Sequence, residues 1–138
     1  MSQTPLKLNE GQSLPLEVAL DSLATNVLYA SADFELKYVN KKSKATLGEI
    51  NDEILEKYGF TAESLVGRSI DELHTNPAHQ RKIIADPKNL PYSAVIQVGE
   101  DKLDLLVSPI NDANGEYLGP MVTWAIITAK LKLVADLT

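Results

Sequence analysis

Apolar positions along the chain change period several times, and each change marks an element. Leu16, Leu20 and Leu23 recur at helical spacing behind Pro15, predicting a short helix over 16–24. Two strands follow over 26–31 and 34–40, the second with Phe34, Leu36 and Tyr38 alternating against Glu35 and Lys37; Ala32-Asp33 between them makes a hairpin. The period then returns to helical over 43–58, where Leu47, Ile50, Ile54 and Tyr58 share a face and Gly59 ends the run. Ser69-Ile70-Asp71-Glu72 has the pattern of reciprocal Ser/Glu capping and predicts a very short helix ending near His74. Asn76-Pro77 is a second cap, opening a helix over 77–85 that Asp86-Pro87 and Leu90-Pro91 close.

Alternation governs the rest of the chain. Ala94, Ile96 and Val98 share one face of a strand over 93–98. Leu103, Leu105 and Val107 do so over 103–108, and Val122, Trp124 and Ile126 over 121–129. Asn111 to Gly115 (NDANG) is a strong turn between the last two strands. Hairpins at both ends with helices between them predict an α+β fold, a five-stranded antiparallel sheet with short helices packed on one face. The midpoint of positions 105 and 124 falls in the Asn114-Gly115 turn, so Leu105 and Trp124 are expected as cross-strand neighbours within about two residues of register.

Composition narrows the chemistry. The 138 residues suit one domain with room for a small-ligand pocket. A net charge of −6 argues against nucleic acid as a partner. Cysteine is absent, which removes disulfides, thiolate nucleophiles, cysteine-ligated zinc or iron–sulfur sites and a cysteinyl flavin adduct. No apolar run reaches membrane-spanning length, and the N-terminus lacks signal-peptide order, so no membrane insertion and a cytoplasmic location are expected.

The run Ile70-Asp71-Glu72-Leu73-His74-Thr75-Asn76-Pro77-Ala78-His79-Gln80-Arg81, with Val122-Thr123-Trp124 on a later strand, resembles the heme-binding PAS domains of soluble bacterial aerotaxis and chemotaxis receptors. The resemblance covers about 16–130, leaving 1–15 as an N-terminal extension and 131–138 as a C-terminal output junction. It implies a PAS fold and a b-type heme (iron protoporphyrin IX) held by a histidine in the short turn before the long middle helix, His74 by motif position. It also implies a gas ligand, chiefly O2 with CO and NO as alternatives, contacted by Trp124 with the apolar Leu105 beside it. The family's usual Asp-Ile/Val-Thr triplet has its counterpart later than expected, at Asp136-Leu137-Thr138, and no chemoreceptor signalling tail follows. The expectation is an excised sensor or a stand-alone one, with a signalling output domain in the same or another chain.

Residue chemistry is consistent with that implication. Without Cys, and with Met only at positions 1 and 121, histidine is the obvious iron ligand. A backbone carbonyl at the end of the short helix could accept from its second nitrogen. His74 and His79 lie five residues apart, about 140° around a continuous helix, so only one is expected on iron. His79, Gln80 and Arg81 become candidates for the rim, near the anionic propionates. A weaker alternative is a non-heme metal site from Asp71, Glu72 and the histidines. Trp124 offers an indole N–H, a donor without acceptor function. A charge-assisted bond from it to O2 is worth about 10- to 150-fold in affinity, whereas CO stays nearly neutral. A rearrangement of Trp124 is expected to reach the exit segment 131–135. The leading helix serves equally well as a homodimer surface or as a cover for the sheet. The rival readings are a cofactor-free PAS domain used for dimerisation or relay, and one holding flavin or a small metabolite. An enzyme is not expected, because no nucleophile motif or Gly-rich phosphate loop is present.

Overall fold

Alternation in the last three strands sets the architecture. In a computed structural model, which describes residues 15–127, β3 (Tyr92–Val98), β4 (Asp101–Asn111) and β5 (Tyr117–Ile126) form an antiparallel meander. The first hairpin, β1 (Asn26–Ala30) and β2 (Leu36–Val39), adds to β5, giving the strand order β2-β1-β5-β4-β3. The five-stranded antiparallel sheet is the predicted one. Each of the last three strands puts the expected apolar set on one face. Val98, Leu103, Val107 and Trp124 are buried there, while Val95 and Leu106 face out. Leu105 pairs directly with Trp124, inside the expected two-residue window, although the register shifts between Ile110 and Asn111 beside the turn.

Helices α1 (Leu16–Asp21), α2 (Lys41–Glu49), α3 (Asn51–Tyr58) and α4 (Pro77–Ile84), with 3-10 turns at Ala62–Ser64, Ile70–Leu73 and Pro87–Asn89, complete the described elements. A core of Phe34, Leu36, Ile50, Ile54, Phe60, Leu65, Ile70, Ile84 and Trp124 fills the space between helices and sheet.

Several boundaries differ from expectation for identifiable reasons. The first helix stops at Asp21, short of Leu23, and of the three leucines expected on it only Leu20 is buried. The predicted helix 43–58 is two helices. The first starts at Lys41, because the Asn40 side chain accepts from Ser43 N. The chain breaks at Ile50, which leaves helical geometry while staying in the core. Gly59 ends α3 in the left-handed conformation, as predicted. Phe34 belongs to the β1–β2 turn rather than to β2: its φ is 69°, and its ring turns into the core. Ser69 caps its short turn by accepting from Asp71 N, but Glu72 pairs with Arg68 at 3.0 Å instead of reaching back, so the capping is one-sided. The last strand starts earlier than predicted, at Tyr117, and ends at Ile126. Residues 1–14 and 128–138 lie outside the described residues, so most of the proposed extension and all of the proposed junction do too.

At Gly119 strand β5 has no room for a side chain against β1. The glycine φ is 145°, and a Cβ there would run into the Ala30 carbonyl oxygen on β1. Gly119→Ala is expected to lower stability by at least ~2 kcal/mol, combining backbone strain with a clash that backbone must relieve. Gly48→Ala on the exposed side of α2, where nothing stands near the added methyl, should instead gain about 0.5–1 kcal/mol. Urea unfolding of the two variants measures the contrast.

Candidate functional site

The segment bearing His74 is positioned by the edge of β2. Gly67 N donates to Leu36 O at 2.8 Å, Leu36 N to Arg68 O at 2.9 Å, and Ile70 N to Phe34 O at 2.8 Å. This lays residues 67–70 alongside the strand and drives Ile70 into the core. The 3-10 turn then ends on His74, which is extended at φ −110° and ψ 138°. Asn76 restarts the helix by accepting from His79 N at 3.3 Å. Across this irregular stretch the Arg81 Nε donates to Asp71 Oδ2 at 2.7 Å, with Nη2 2.6 Å from the same oxygen, clasping α4 to the turn before it. The guanidinium also lies over the Phe34 ring, 4.7 Å from its centre.

His74 is half-buried and faces an apolar cavity of about 160 Å³ between sheet and helices. Leu28, Leu36, Ala94, Ile96, Leu103, Leu105, Val122 and Trp124 line the sheet side. Ile54, Tyr58, Ile70, Leu73, Gln80 and Ile84 line the helical side. Burial pushes the His74 pKa down, against an opposing pull from the Asp71 carboxylate. The imidazole is therefore held towards its neutral form, the form able to ligate a metal. Asp71 in turn is held below the usual carboxylate range, chiefly by its bond to Arg81. One of its oxygens, Oδ1, is buried without a hydrogen-bond partner.

Four of the six residues singled out from sequence, His74, Gln80, Leu105 and Trp124, meet around this cavity. His79 and Arg81 do not line it. His79 is exposed in a shallow surface groove with Lys82, Ile83, Asn89 and Tyr92, and Tyr92 also borders the cavity. Arg81 is exposed and committed to Asp71. The non-heme alternative fails: Asp71 is engaged by Arg81 and Glu72 by Arg68, and the described residues contain no group of three metal-ligating side chains.

Sequence reasoning missed the polar side of Trp124. Its Nε1 donates to Ser43 Oγ on α2 at 2.9 Å, inside the protein. Its carbonyl accepts from Asn26 Nδ2 at 3.1 Å, and Asn26 Oδ1 accepts from Thr46 at 2.8 Å. Asn40, fully buried, accepts from Val27 N and Ser43 N and donates to the Leu20 and Thr25 carbonyls, satisfying its whole side chain. The sequence pattern places Asn40 at the end of a strand and misses its capping role, and Ser43 stands 81 residues from its partner and carries no local signal.

No protein-family model matches the chain. It is 36% identical to the methyl-accepting chemotaxis protein McpB of Pseudomonas aeruginosa over 111 residues, covering 79% of this chain and 16% of that protein's length. A solved structure of the Aer2 receptor from Vibrio cholerae, a dual PAS-heme oxygen sensor, superposes with a TM-score of 0.72 at 37% identity. That match covers 75% of this chain and 95% of that one. The PAS domain of Bordetella pertussis BvgS shares the fold, with a TM-score of 0.56 at 18% identity over 88% of this chain and 90% of its own. These relatives are signalling modules, and no helix among the described residues is long and apolar enough to cross a membrane. Strand order, identity above one third to both relatives and near-complete coverage of the Aer2 structure agree, and the chain belongs to the PAS domains of the Aer2-type chemoreceptor family.

Proposed function

We propose that this PAS domain is a heme-based gas sensor, O2 being the ligand, with His74 as the axial ligand of the iron and Trp124 and Leu105 beside the gas. The observation that carries the reading is one apolar cavity bordered by a neutral, half-buried imidazole and by the chain's single tryptophan. The donor set fits. His74 is the one imidazole lining the cavity and no Met or Cys lines it, the walls are mostly aliphatic, and the Asp71 carboxylate, which acts on His74 electrostatically, keeps one buried oxygen, Oδ1, without a partner. The enclosed volume is below the ~300–1,000 Å³ usual for cofactor pockets. Seating a porphyrin therefore requires α4 and the His74 turn to move outward. Here α4 is held by the buried Ile84 and by the Arg81–Asp71 pair.

When bound, the heme would supply an iron centre able to take up a diatomic gas. The chain's own residues do the rest. His74 anchors, the aliphatic walls exclude water, and Leu105 limits the space beside the indole. Gln80 and the adjoining groove with His79 and Lys82 suit the propionate edge better than Arg81, whose charge Asp71 already balances. Trp124 sits on β5, the middle strand of the sheet, so its displacement acts on β1 and β4 together. The kinship with chemoreceptors supports a chemotaxis-type output as the recipient. A second reading, a small apolar metabolite, is favoured by the enclosed volume alone.

Absorption spectra of the protein purified from hemin-supplemented cells, before and after reduction and exposure to O2 or CO, test this directly. The expected result is a Soret band that shifts on reduction and again with each gas. A colourless protein that takes up no added hemin, or flavin absorbance without a Soret band, overturns the reading.

A further inference from the structure

An indole N–H carries one proton, and in Trp124 that proton is already engaged. Nε1 donates to Ser43 Oγ at 2.9 Å, with Trp124 5% exposed and Ser43 not at all. The Ser43 position is rigid, because its backbone N–H donates to Asn40 Oδ1 at 2.9 Å and the Asn40 amide is tied to Leu20 and Thr25. The indole therefore rests against the N-terminal turn of α2. It cannot serve Ser43 and a gas ligand at full strength together.

We propose that Ser43 is a positioning residue for gas binding: it holds the indole in its resting orientation and competes with the ligand for the indole proton. The inference rests on the gas-sensor reading above. Ligand capture exchanges one hydrogen bond for another, leaving the Ser43 hydroxyl buried without its donor. Two discrete arrangements follow, indole on α2 or indole on ligand, and a gas that prefers the second shifts the balance by its differential affinity. Removing the Ser43 hydroxyl weakens the resting arrangement and relieves the unpaired group in the other. Both effects favour the ligand.

Ser43→Ala is accordingly expected to raise O2 affinity by about 2- to 10-fold, the range of a single neutral buried hydrogen bond. A second readout does not depend on gas binding. With one tryptophan in the sequence, the ultraviolet resonance Raman bands that follow indole N–H hydrogen bonding report Trp124 alone. In the gas-free protein as purified they should shift towards a weaker hydrogen bond in Ser43→Ala. The affinity gain should also vanish in the Trp124→Phe background, since it acts through the indole. Should Ser43→Ala not accumulate as folded protein, Ser43→Cys, with a weaker acceptor of similar size, replaces it. Unchanged indole bands, unchanged or lower O2 affinity, or an equal gain without Trp124 overturns the role of Ser43 while leaving the sensor reading standing. Absence of a Soret band from the parent protein removes both.

Discussion

In His74→Ala the heme retained through purification is expected to fall by more than ~100-fold, while His79→Ala should keep its heme affinity within about twofold of the parent. The asymmetry follows from the placement of the two rings. His74 closes a 3-10 turn pinned to β2 and faces the cavity, and its burial favours the neutral imidazole. His79 is exposed in the first turn of α4, its backbone engaged by Asn76 and its ring in a surface groove. Outer-shell changes around a metal typically cost ~10–100-fold in affinity, so loss of the only ligand costs more. Neither substitution empties the core: Ile70 anchors the turn before His74, and Ile84 anchors α4. Soret absorbance per protein, measured beside the far-ultraviolet circular dichroism, separates loss of heme from loss of fold. His74→Gly with added imidazole gives a further check, because a free imidazole occupying the vacated site should restore the band. Loss of heme in His79→Ala with retention in His74→Ala would reverse the ligand assignment.

The sheet and the pairing of Leu105 with Trp124 were legible because they rest on local rules, whereas the expectation that His74 and Trp124 share a site came from the family resemblance. Alternation in β3, β4 and β5 specifies which side chains face inward, and the turn at Asn111 to Gly115 bounds the register. These two facts place Leu105 and Trp124 within about two residues of each other, and the structure pairs them directly. Asn76-Pro77 marks where the helix restarts, which separates His74 from His79 in space although they are near in sequence. The break at Ile50 was not legible, for a geometric reason. Leu47, Ile50 and Ile54 all stay buried on both sides of it, so the apolar periodicity runs through an interruption in the backbone. Phe34 alternates correctly with its neighbours, yet its positive φ makes it a turn residue that buries its ring by another route. Non-local polar pairing was invisible altogether. Nothing near Ser43 predicts an indole arriving from the other end of the chain, and nothing near Arg81 shows that its charge is spent on Asp71.

That hidden pairing changes what Trp124→Leu should do. Counted from an indole proton free in the pocket, a bond to O2 contributes about 1.5–3 kcal/mol. The indole instead leaves a neutral acceptor worth ~0.5–1.5 kcal/mol, so the net preference for the ligand is the difference, about 1.3 kcal/mol at the middle of the two ranges. Trp124→Leu is therefore expected to speed O2 dissociation by about tenfold rather than by the full range that the donor alone would allow. CO, which draws little charge, gives the indole no comparable reason to leave Ser43, and CO dissociation should change by less than about threefold. Leucine keeps an apolar wall opposite Leu105 and β5 keeps its pairing, so heme should be retained. The Ser43 hydroxyl loses its donor inside the protein, and stability should drop by ~1–3 kcal/mol, measurable by urea unfolding. Stopped-flow displacement of O2 and of CO from the two proteins gives the four rates needed. A rise confined to O2 assigns the discrimination to the indole proton. Equal rises for both gases mean that the ring acted by filling space, and unchanged rates reduce Trp124 to a packing residue whose N–H serves α2 alone.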